Sequence, residues 1–516
     1  MSSIHRIFPL AASAAAWLWL LPQSAAVPQS TGPATSAPAS PAGAAVGSVH
    51  SALLQTADEL VREVASLRGL PPKTTIARGV LSREQIVEKQ RTRIAKHLTP
   101  EDIRREAGVL KRMGLLPADM NYEKTVFDLF ADQVAGFYDP PTRTLYIADW
   151  LPVHMQRPAL AHEIQHALQD QYFDLQKFAG PLKEEGDASL ARSAIAEGDG
   201  IAVMLELPAK GARPDAARSP VVLAKLGKQM MYLTMGATPS FQKAPAVLRE
   251  TLVFPYASGL EFVGSIRAEG GWARVNDLFR DPPDSTEQII HPEKYTDRER
   301  PVRITSAPLA SLLSGGRKEV RRDVMGELMW KIWFGSAMAQ SQAETAAAGW
   351  GGDRWVAYEG PGDELPLVLS LSAWDNDSDA DEAELAMRKV LSDLVTPAPP
   401  PGAPAKKDAA KPSPITVGKD SKSTASPVSK PPRSGPFFAY KGSQTYGLVR
   451  RERLIALFLG IPKGSETAIS DEIFRSFRVA WPDPSATVPV ATPPAPGPAP
   501  AAPAASPPAR PPGPWR

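Results

Sequence analysis

Pro158-Ala-Leu-Ala-His162-Glu163-Ile-Gln-His166-Ala-Leu168 is the stretch on which the reading of this chain turns. Residues four apart share one face of an α-helix, so the imidazoles of His162 and His166 can meet at one point with Glu163 beside them. In this His-Glu-x-x-His spacing the two His bind zinc, and the Glu acts as general base on the water that zinc activates. Leu160, Ile164, Ala167 and Leu168 supply an apolar stripe, Pro158 suits a first helical position, and no Gly or Pro interrupts Ala159 to Phe173. The spacing predicts a helix bearing a zinc hydrolase motif. The blander alternative is a surface helix whose His are solvated or paired with Glu163.

A third ligand is needed, and the helical segment from Glu184 to Glu206 offers Glu197-Gly198-Asp199-Gly200 among apolar neighbours. Each Gly costs a helix about 1 kcal/mol relative to Ala, so Gly198 and Gly200 imply the close approach of another backbone, expected to be the His162 helix. That makes Glu197 the expected third zinc ligand. Of the competing carboxylates, Glu184 and Glu185 fall in a first turn, where acids serve the helix dipole, and Glu206 lacks small neighbours. Asp199 is expected either to hydrogen-bond a ligand imidazole or to be a solvated acid.

Residues 1–26 combine His5 and Arg6, an apolar run from Ile7 to Leu21 and a small-residue Ser24-Ala25-Ala26, the pattern of a secretory signal peptide. The run is too short to span a bilayer and no second one follows, so a soluble mature protein of the bacterial envelope or exterior is expected, with no membrane span. The chain has no cysteine, which excludes a disulfide framework and a lipid-attachment cysteine. A net charge of +2 with scattered Lys and Arg gives no basic stripe for phosphate backbones, so nucleic acid is not an expected partner.

Three tracts, 27–48, 396–435 and 482–516, are rich in Pro, Ala, Ser or Lys and read as disordered linkers or tails. They frame a body from 49 to 395, with a helical part at 49–120 and a metal-site region at 121–300, completed by strands and a helix at 436–481. Gly136-Phe-Tyr138 and Thr144 to Ala148 read as a hairpin leading to the metal-binding helix, whose edge could pair with an extended peptide. Gly349 to Arg354 reads as a turn followed by strands Trp355–Tyr358 and Leu367–Leu371. With Tyr446–Val449 and Leu454–Leu459 these form a second sheet, into which the 396–435 tract is inserted. A polar block, Ser285-Thr-Glu-Gln288 with His291-Pro292 and Tyr295, offers His291, Tyr295 or, from elsewhere, Tyr256 as donors to an oxyanion; His291 could equally anchor its loop.

These blocks, with Asp132 to Asp139, Leu145-Tyr146, the His162 to Gln171 helix, Glu197-Gly198-Asp199 and Gly349-Trp350 with Gly352-Asp353, resemble largely uncharacterised bacterial zinc metallopeptidases of the gluzincin type. The resemblance spans nearly the whole body. It implies an α+β, zincin-like core in which the active-site helix packs on a mixed sheet, zinc held by His162, His166 and Glu197, and Glu163 as catalytic base. Gly200 stands where gluzincins carry an alanine, a change expected to spare metal binding. The expected function is a secreted zinc metallopeptidase acting on protein or peptide substrates, with His291 and Tyr295 as further candidate catalytic residues. Alternatives are an exported scaffold with structural zinc, marked by a closed site, and a hydrolase of non-peptide amides.

Overall fold

Leu53, Ala57, Leu60 and Val64 recur at helical spacing on α1 (Ala42–Arg68) and are buried against Leu160, Ala161, Ile164 and Leu168 of α5 (Val153–Phe173), the helix of the His-Glu-x-x-His stretch. This apolar seam buries the back of the metal-motif helix. The computed structural model describes residues 42–97, 99–131, 136–150, 153–209, 219–236, 238–362, 364–396 and 435–482. The expected signal peptide lies outside the described residues, as do residues 132–135 and nearly all of the three low-complexity tracts. Of tract 27–48, residues 42–48 are described, and they open α1.

The chain is α+β. The other helices of ten or more residues are α2 (Arg83–His97), α3 (Pro100–Arg112), α4 (Tyr122–Ala131), α6 (Gly186–Glu206), α7 (Pro220–Gly236), α8 (Ala246–Leu278), α9 (Gly326–Gly335), α10 (Asp377–Val395) and α11 (Glu466–Ser476). Thr99 caps α3, its hydroxyl accepting from the Asp102 N–H while the Asp102 carboxylate accepts from the Thr99 N–H. Among the described residues no helix is long and apolar enough to cross a membrane.

Beside α5 stands a three-stranded mixed sheet of β1 (Ala77–Leu81), β3 (Thr144–Ala148) and β2 (Gly136–Asp139), in the order β1-β3-β2. β2 and β3 form the expected antiparallel hairpin. β1 corrects the reading of 49–120 as purely helical: it pairs in parallel with β3, Ala77 opposite Thr144. Five residues with no alternation of burial carry no strand period, so only the distant partner reveals this one. A second correction concerns Pro158. The helix begins at Val153, so Pro158 sits inside it, where its missing N–H deprives only the His154 carbonyl in the first turn.

The second sheet is antiparallel, with six strands in the order β5 (Lys318–Asp323), β6 (Trp350–Glu359), β7 (Leu367–Trp374), β10 (Leu454–Pro462), β9 (Gln444–Arg451) and β8 (Phe437–Lys441). The 396–435 tract connects α10 to β8, as an insertion within this module. Gly349 to Arg354 is not a turn: β6 starts at Trp350, and a bulge between Trp350 and Gly352 absorbs the glycines. A short pair, β4 (Arg303–Ser306) with β11 (Phe477–Ala480), completes the strands.

Where α3 and α4 meet β5, Glu106 is buried, accepting from the Tyr122 hydroxyl at 2.9 Å with Arg321 at 4.0 Å. Burial, opposed by Arg321 and the Tyr122 hydrogen bond, pushes its carboxyl up to about 7 from an ordinary 4.5. A raised acid stabilises the fold fully below the unfolded value, and this contribution is lost as pH rises through the folded one. Glu106→Gln is therefore expected to gain on wild type by up to about 3 kcal/mol between pH 4.5 and 8 in urea unfolding. A difference that does not change with pH would show that Glu106 ionises as in water.

Candidate metal centre

One turn apart on α5, His162 and His166 turn their rings edge to face, and their Nε2 atoms lie 2.6 Å apart. Glu197, from α6, brings Oε2 to 3.2 Å from the first Nε2 and 3.4 Å from the second. The three side chains are buried and form a group able to hold a metal ion. Among the described residues Glu197 Oε1 has no hydrogen-bond partner, and Oε2 meets only the two imidazoles. A buried carboxylate so sparsely served is costly, and a cation among the three groups would relieve it. Ligands about 2.05 Å from a tetrahedral ion sit roughly 3.3 Å apart, so the Glu197 distances fit and the two rings would have to part by about 0.7 Å.

The charges agree with a site short of a cation. Burial and neighbouring His166 hold His162 well below its ordinary value. Burial also opposes charge on His166, but the Glu197 carboxylate overcomes it and lifts the imidazole to about 9. Burial lifts Glu197 to about 7 against the pull of His166. One proton thus does the work that a doubly charged ion would do better.

Glu163 is buried beside the cluster, and its Oε2 accepts from the Tyr138 backbone N–H of β2 at 2.7 Å. This ties the expected base to the hairpin. Behind the ligands, Gln169 Oε1 lies 2.9 Å from His166 Nδ1, while its Nε2 donates to the Ala196 carbonyl at 3.0 Å and to Asp199 at 2.8 Å. With Nε2 donating to two oxygens, Oε1 must accept from Nδ1–H, which turns the Nε2 lone pair of a neutral His166 toward the cluster. Asp199 also accepts from Gln165 at 2.8 Å and from Arg68 Nε at 2.7 Å, both ion-pair partners being fully buried. It therefore stands one residue behind the imidazole, which it was expected to touch directly, and it is not solvated. Arg68 stacks 4.5 Å over Trp272.

The two glycines serve two different neighbours. A Cβ on Gly198 would lie 2.2 Å from the Gly259 carbonyl oxygen of α8, and one on Gly200 would lie 2.3 Å from the His162 ring. The expected close approach to the His162 helix holds for Gly200, whose backbone also hydrogen-bonds His162, while Gly198 admits α8 instead.

The remaining candidates lie elsewhere. Glu185 pairs with Arg354 at 2.8 Å, Glu206 with Arg267, and the Glu184 carbonyl accepts from Arg354. His291 Nε2 lies 3.0 Å from Glu327, and the Tyr295 hydroxyl donates to the Asp281 carbonyl at 2.8 Å. Both were candidate oxyanion donors, with a loop-anchoring role as the alternative for His291, and their polar atoms are engaged outside the cluster. Tyr256 is buried on α8. The block around Ser285 is a joint: Thr286 donates through N–H and hydroxyl to Asp187 at the start of α6, and Lys294 binds Glu287, Glu299 and Asp375 at 2.6 to 2.8 Å. A cleft of about 590 Å³ lined by Val221, Lys228, Glu261, His291 and Glu327 includes none of the cluster residues.

Sequence reasoning missed Arg68, Gln169 and the Tyr138 N–H. Gln169, three residues beyond His166 on the same face, was within reach of the spacing argument. The others depend on contacts distant in sequence.

A family model described as a domain of unknown function (DUF8575) matches residues 311–413, a stretch that excludes His162, Glu163, His166 and Glu197. No curated protein matches the chain, and no solved structure matches it.

Asp199→Ala strands the Arg68 guanidinium in the core and is expected to cost about 3 to 5 kcal/mol in chemical unfolding. Gly198→Ala, which sets Cβ against backbone, is expected to lower the melting temperature more than Gly200→Ala, which meets only an imidazole. Equal losses would contradict the different neighbours assigned to the two glycines.

Proposed function

We propose that the chain is an exported zinc-dependent metallopeptidase with a zincin-like core of the gluzincin type. The observation that carries this reading is the meeting of buried His162, His166 and Glu197, with Glu163 held alongside. Zinc in such a site brings the pKa of a water to about 7 and polarises the peptide carbonyl. Glu163 takes the proton of the attacking water and hands it to the departing amine. The Tyr138 N–H fixes the orientation of that carboxylate, and Gln169 fixes the His166 ring. Export is supported by the signal-like pattern of residues 1–26.

Since the Tyr138 N–H is engaged by Glu163 and the neighbouring Phe137 and Asp139 face β3, a peptide laid along β2 would pair with the Tyr138 carbonyl and the Gly136 backbone, passing the base. The complete burial of His162, Glu163 and Glu197 means that substrate reaches them only when their cover moves. That same burial favours a second reading, an exported scaffold in which zinc is structural and nothing is turned over.

Digestion of casein and of a mixed peptide library separates the two. Zinc-loaded wild type is expected to cleave, to stop with chelator and to resume with zinc. Glu163→Gln is expected to keep its zinc and to cleave at least about 100-fold more slowly. A zinc-loaded wild type that cleaves nothing would favour the scaffold, and a Glu163→Gln variant as active as wild type would remove Glu163 from its role.

A further inference from the structure

Helix α7 is apolar on two opposite faces. Ala224, Gly227, Met231 and Met235 are buried, with Ala224 and Gly227 against Gly264 and Leu260 of α8. On the other side Val222, Leu226, Met230 and Leu233 follow at steps of four, four and three residues and so make one stripe. Leu226 is 58% exposed and Leu233 71%. Of the nine exposed large hydrophobic side chains among the described residues, six are on this one helix. Single exposed apolar residues are ordinary, but a concentrated stripe marks a surface that something covers.

The charge around the stripe selects the partner. Helix α7 carries Lys225 and Lys228 and no acid, and the α8 acids that face it, Glu250 and Glu261, are engaged by its Tyr232 and Lys228. Lys225, one residue before Leu226, and Lys243 are exposed, while Lys228 pairs with Glu261. Apolar side chains on the outward face of a helix, with cations beside them and no acid on that helix, complement an anionic lipid surface, which moulds itself to a convex helix. Seventeen residues with one face already buried in the protein suit an interfacial position and not a span.

We propose that α7 is a membrane-interface helix that seats Val222, Leu226, Met230 and Leu233 among the headgroups of a bilayer containing anionic lipid. The assignment is independent of the metal centre.

Co-sedimentation of the full chain with vesicles tests it. Wild type is expected to bind phosphatidylcholine vesicles containing about one third phosphatidylglycerol, and to bind pure phosphatidylcholine and high-salt samples much less. Leu226→Ser combined with Leu233→Ser is expected to weaken partition by at least roughly tenfold, and Lys225→Glu to weaken it further. Circular dichroism and melting temperature should stay unchanged, because these side chains are exposed. Leu233→Cys carrying a polarity-sensitive dye, a unique label in a chain without cysteine, is expected to shift its emission to the blue on the anionic vesicles alone. Wild type that does not bind vesicles, or a double serine variant that binds as wild type does, overturns the proposal. So does a stripe whose substitution abolishes a dimer in light scattering and leaves vesicle binding unaltered, since it would then be an interface between copies.

Discussion

A carboxylate buried against two imidazoles, which among the described residues are its only polar neighbours of opposite kind, is the constraint around which this molecule is arranged. Four consecutive residues of α6 meet it in four directions, because each step along a helix turns the side chain by about 100°. Glu197 points at the imidazoles, and Gly198 lets the backbone of α8 close in. Asp199 gathers Arg68, Gln165 and Gln169, and Gly200 leaves room for the His162 ring. Shifting this run by one residue would put a side chain where a backbone must pass and a charge where nothing answers it.

Around the cluster, the buried charges of Arg68, Asp199, Asp187 and Asp353 are held in hydrogen-bonded networks. The Arg68–Asp199 pair links the end of α1 to the centre of α6, and through Gln169 it reaches the His166 ring. At the other end of α6, Asp187 holds Thr286, and nearby Asp353 accepts from the Met325 and Gly326 backbone and from the Trp330 and Trp350 indoles. Burial raises both Asp187 and Asp353 above the ordinary carboxylate range, partly offset by these donors. Such networks resist rearrangement, because breaking one donor leaves a charge unsatisfied. The half of the body that carries the His-Glu-x-x-His helix is thereby tied to the six-stranded sheet.

What the sequence disclosed follows from the range of its signals. His162 and His166 were legible because a helical period is local, and Glu197 because two glycines in a helix need an explanation. The hairpin of β2 and β3 was legible from a turn between two short apolar runs. β1 was hidden, since its strand character comes from pairing with β3 far along the chain. Gly349 to Arg354 misled because glycines suggest a turn, whereas here they permit a bulge inside β6. His291 and Tyr295 belong to a block rich in polar residues, but a polar residue's role depends on its partner, and Glu327 and Asp281 are the partners they have. Arg68 carried no signal at all: a lone Arg at a helix end looks solvated until the fold brings Asp199 to it.

X-ray absorption spectroscopy of the zinc-titrated full chain is the most direct measurement on the central claim. One ion per chain is expected, with two nitrogen ligands at about 2.0 to 2.1 Å and carboxylate oxygen at about 2.0 to 2.2 Å, and with that signal lost in Glu197→Ala. A chain that takes up no ion, or a coordination shell unchanged when Glu197 is removed, would contradict it.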